Sequence, residues 1–187
     1  MNKVYQLTMG RTTTAPILRI VTMPNWWPFK RKNEVDPDEV FRQTEAELRE
    51  NLAEAERAGE SRQALLAALQ AEAQALEQAE TTAVNKAKLR AYDLLYSDLR
   101  QALLHNLSEG KAREMAGDVA GAIGYYETAV ADQVSSRFPY EHLRVIYRRQ
   151  EEYEDARRIC LAAVDNPFLS ESDHEHFRNW AEKFGKQ

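Results

Sequence analysis

This chain is poor in the residues that build anything other than helices. Glycine occurs seven times and proline six times among 187 residues, and valine and isoleucine are sparse beside Ala, Glu, Gln, Leu and Arg. That balance excludes a β-sandwich or barrel and predicts an all-α protein. A single cysteine, Cys160, excludes an internal disulfide and any cysteine-based metal cluster, and it suits a reducing compartment such as the cytoplasm. No stretch approaches the roughly 18 consecutive apolar residues that a membrane span requires. The longest apolar run near the start, Ile17–Val21, is broken by Arg19 and is too short for a secretory signal.

Acidic residues are absent from one region and abundant elsewhere. Residues 1–33 hold Lys3, Arg11, Arg19, Lys30, Arg31 and Lys32 and no acid, a charge of +6, so with a total of −5 the remainder carries −11. An acidic body argues against general nucleic-acid binding. The basic leader, residues 1–35, also holds Trp26, Trp27 and Phe29 around Pro28, a cluster that breaks regular structure. Exposed aromatics next to Lys30, Arg31 and Lys32 suggest an anchor. The cluster is expected to dock on the chain's own acidic helices, on a separate protein or on a membrane surface reached by residues 23–32, or else to stay disordered.

What is present is helical periodicity. Asp36 is a natural N-cap and Pro37 suits the first helical position, with Asp38 and Glu39 complementing the positive helix end. Phe41, Leu48, Leu52 and Ala55 then mark a narrow apolar stripe, Gly59 stops the helix, and Ser61 can cap the next. Leu65, Leu66, Leu69, Ala73 and Leu76 continue the pattern. After a weak break at Thr81-Thr82, Val84 to Leu103 begins another long helix that has no strong breaker before Gly117. Residues 36–102 therefore read as a long helical, coiled-coil-like hairpin, either completing the core or mediating self-association.

The last third repeats. Ala122, Ala129 and Val130 recur as Ala156, Ala163 and Val164, all at one common offset. In the first unit, 103–136, Gly110 precedes Ala122, Tyr126 and Ala129. In the second, 137–170, Tyr140, Leu143 and Tyr147 precede Ala156, Cys160 and Ala163. Small residues at these spacings allow two helices to cross closely, with large ones filling the holes beside them. This stretch, about residues 103–185, resembles the tetratricopeptide repeat (TPR) family, a stacked helical array whose units share that repeat length. Departures are Asn106, Glu109 and Arg113 in the first unit, Arg144 for the glycine in the second, and Pro167 one residue early. A final helix within 171–185, capped at Ser172 and bearing Phe177, Trp180, Ala181 and Phe184, reads as the polar-backed cap of the array. The expected domains are thus 1–35, 36–102 and 103–187.

No catalytic constellation is evident. His174 and His176 diverge on a helix and make poor joint metal ligands, His105 and His142 read as surface groups, and Cys160 reads as a buried thiol rather than a nucleophile. Neither metal nor cofactor is expected. The resemblance implies a non-catalytic adaptor, scaffold or regulator that holds a protein or peptide on the face lined by the first helix of each unit. On this chain that face is Leu107, Lys111 and Glu114, then Glu141, Val145, Arg148 and Arg149, with Asn179 on the cap. Arg148 and Arg149 can hold an acidic segment or pair with Glu151, Glu152 and Glu154. The family's lysine and asparagine clamp for chaperone tails is not reproduced. The alternatives are a homo-oligomer formed by the long helices and a tether to a membrane surface.

Overall fold

In the computed structural model, residues 35–186 are described. The leader signals, Ile17–Val21 and the anchor residues Trp26, Trp27, Phe29, Lys30, Arg31 and Lys32, lie outside the described residues. The described chain is all-α. Its seven helices are α1 (Pro37–Arg57), α2 (Arg62–Gln78), α3 (Ala83–Met115), α4 (Val119–Ala131), α5 (Phe138–Arg149), α6 (Tyr153–Asp165) and α7 (Glu171–Phe184). No helix among the described residues is long and apolar enough to cross a membrane.

Local chemistry sets most boundaries. The Asp36 carboxylate accepts from the Asp38 amide at 3.0 Å, ahead of Pro37. Gly59, at φ +94, ends the first helix in the left-handed region that favours glycine. Ser61 and Thr82 cap α2 and α3 by accepting from Ala64 and Asn85. At α7 the cap is Ser170, not Ser172: its hydroxyl accepts from the Asp173 amide and donates to the Asp173 carboxylate at 2.6 Å. The acid at the third helical position is what selects Ser170, as in a capping box.

The 33-residue α3 spans about 50 Å at 1.5 Å per residue. Its first half carries α1 and α2 through a small core of Leu48, Leu69, Ala91 and Leu95. Its second half pairs with α4, and α5, α6 and α7 follow, each packed on its predecessor. The expected boundary at 102/103 falls inside α3, and Leu66 of α2 shares one apolar core with Leu103, Tyr126, Tyr140 and Phe177. Polar ties reinforce the junction. The Gln63 amide donates to Asp132 O, and the Ser61 hydroxyl donates to Gln133 Oε1 at 2.8 Å. The long helices therefore supply a packing layer for the helices that follow.

The offset between the two units reappears in backbone geometry. Gly117 lies at φ +80, and Glu151, its equivalent in the second unit, at φ +65. The next residues, Asp118 and Glu152, match within a few degrees, at φ/ψ of −82/73 and −84/67. Their amides donate to the same relative carbonyls, Asp118 to Arg113 O and Glu152 to Tyr147 O. A side-chain pair recurs as well. Asn106 donates to Asp132 at 3.4 Å, and their counterparts Tyr140 and Asn166 bond at 2.7 Å.

Candidate protein-interaction face

The first helix of each pair is joined to the next by a glutamate and a histidine. Glu114 on α3 lies 2.6 Å from His142 Nδ1 on α5, and Glu141 on α5 lies 3.1 Å from His176 Nε2 on α7. His142 and His176 are themselves separated by the same offset as the two units. His142 is half-buried, its ring 4.0 Å from that of Phe138, so it is a joint rather than the surface group its isolation in sequence suggested. His174 is likewise half-buried and bonds the Asn166 carbonyl at 2.8 Å.

These joints occupy two of the residues expected in an open groove. Glu114 also accepts from the Tyr126 hydroxyl at 2.9 Å; burial, helped by this bond, raises the Tyr126 pKa. Burial opposes ionisation of Glu141, but Arg144 and His176 outweigh it and hold the carboxyl below its usual range. Arg144 stands where the repeat pattern expects glycine. It is buried, paired with Glu141, and its guanidinium lies 4.0 Å over the Trp180 ring. Its Nη1 has no hydrogen-bond partner, so the indole face takes up part of that charge.

The other expected residues remain accessible. Val145 is half-buried, while Arg148, Arg149 and Asn179 are exposed. Among the described residues no carboxylate lies within ion-pair distance of Arg148 or Arg149, so Glu151, Glu152 and Glu154 do not neutralise them. Arg148 instead lies 5.9 Å from the Trp180 ring.

Leu107 and Lys111 line an open groove of about 920 Å³, beside Leu104, His105 and Phe138. Leu104 is 53% exposed. Periodicity hides it, because its neighbour Leu103 is the core residue and spacing alone does not say which leucine of a doublet faces out. Comparisons with protein families, curated proteins and solved structures give no match.

Cys160 is buried, and burial pushes its thiol up to about 12. No cluster of three His, Cys, Asp or Glu suited to a metal occurs among the described residues. The first helices present cations and apolar side chains beside the paired Glu114 and Glu141.

Proposed function

We propose that this chain is a non-catalytic protein-interaction module, a short TPR-like array working as an adaptor, scaffold or regulator in the cytoplasm. The observation that carries the reading is the same turn at equivalent places in both units, Gly117-Asp118 and Glu151-Glu152. Like turns at a fixed period generate like helical pairs, and stacked pairs offer an extended face for a partner segment. The cations of that face, Lys111, Arg148 and Arg149, suit an acidic or carboxylate-bearing partner.

Affinity capture from the native host with the full chain as bait tests this. Arg148→Glu combined with Arg149→Glu is expected to cut partner recovery at least about tenfold while leaving the circular dichroism spectrum unchanged. Equal recovery by both baits removes the α5 surface from the interface.

A further inference from the structure

The groove along α3 combines apolar side chains and cations without an acid. The chain holds 30 acidic residues, yet none of the residues lining this groove carries a carboxylate. Neither does any residue of the adjoining hollow of about 430 Å³, which shares Arg100, Leu104, Leu107 and Ser136 with it. Arg100 and Lys111 sit on the walls and form no ion pair among the described residues. Between them lie exposed Leu104 and half-buried Leu107, facing half-buried Phe138 at the start of α5.

One wall of the groove is α3, from Ser97 to Lys111, about 20 Å along the helix, and Ser136 and Phe138 at the start of α5 form the other. A groove of that length, shallow and with apolar residues at helical spacing, fits a peptide segment better than a small molecule. Its cations are about 16 Å apart, so they bracket the apolar centre.

The geometry points to an acidic segment of another protein as the occupant of this groove, with carboxylates flanking two bulky apolar side chains. The apolar pair seats on Leu104, Leu107 and Phe138, and the carboxylates meet Arg100 and Lys111 by charge-assisted bonds. The net acidic body disfavours such a segment over most of the surface, and this stretch, like the Arg148 and Arg149 surface, offers it cations that no carboxylate neutralises. This inference rests on the interaction-module reading; it extends that face from Lys111 along α3 to Arg100 and adds the apolar pair that the acidic partner carries.

Selection of short random peptides displayed on phage against the full chain tests it. Enriched sequences should be net negative with an apolar pair. Synthetic versions of them should lose at least about tenfold in affinity to Lys111→Glu combined with Arg100→Glu, and as much to Leu104→Glu. Binding should also weaken as salt is raised. All three side chains are accessible, and matched thermal melts keep loss of binding distinct from loss of fold.

Enrichment of neutral or basic peptides, or of none, overturns the inference. Acidic peptides that ignore these three substitutions but are lost on Arg148→Glu with Arg149→Glu overturn it too, while leaving the module reading in place. A dimer in sedimentation that Leu104→Glu dissolves would assign the groove to a second copy of this chain, and would equally overturn it.

Discussion

The two helical pairs, α3 with α4 and α5 with α6, meet the same packing problem with the volumes exchanged. At the first crossing Gly110 faces the Tyr126 ring so closely that a Cβ there would stand 2.5 Å from Cε1. At the second, the equivalent positions hold Arg144 and Cys160, a large residue on the first helix and a small one on the second. Both Tyr126 and Cys160 are fully buried. Each crossing thus has one large and one small residue, on opposite helices in the two pairs. The exchange also gives the second pair something the first lacks. A bulky cation on α5 reaches Trp180 on α7 and ties the last helix to the array.

That comparison is most severely strained by undoing the second solution. Arg144→Gly copies the first crossing without its tyrosine, leaving a void and removing the cation from Glu141 and Trp180. A loss of about 3 kcal/mol is expected in denaturant unfolding. Adding Cys160→Tyr should recover part of it, as the exchange of volumes requires. The converse test is Gly110→Ala. Overpacking against Tyr126 should cost about 1–3 kcal/mol, and Tyr126→Leu in the same chain should relieve the clash.

The turns sharpen the comparison more gently. Gly117 and Glu151 adopt the same left-handed backbone, but only the first is glycine. Glu151→Gly should therefore raise stability, by up to about 1 kcal/mol in the same unfolding assay, and the reverse change Gly117→Glu should lower it similarly. The smallest effect concerns the joints. Glu141 has a folded pKa below its ordinary 4.5, so its contribution is present above that value and fades as pH falls through the folded pKa. Acid titration of stability should lose part of this acid-side slope in Glu141→Gln.

Much of this was legible in the residues themselves. The cap at Asp36, the stop at Gly59 and the start at Ser61 are short-range chemistry, and each stands where the local signals place it. The small residues Ala122, Ala129, Ala156 and Ala163 are all fully buried, as close helix crossings require. The apolar face of α7 at Phe177, Ala181 and Phe184 follows from spacing alone. The site was less legible because its decisive contacts join residues far apart in sequence. The resemblance placed Glu114 and Glu141 on one face, but it does not show that His142 and His176 arrive to engage them. Arg144 read as a departure from a pattern, because its compensation lies at Cys160 and Trp180 on two other helices. Asn166 reads locally as a turn residue before Pro167, which does not reveal its burial or its bonds to Gln133 O, Val134 O and Tyr140 Oη.

Lys111, Val145 and Asn179 occupy the same place on α3, α5 and α7, each one repeat length from the next. Spin labels at Lys111 with Val145, and at Val145 with Asn179, in a Cys160→Ala background, give two distances by pulsed electron resonance. Like units stacked at a constant offset predict two narrow distributions with the same centre. One short and one long distance, or a broad distribution for either pair, would contradict the stacked array and the recognition face proposed from it.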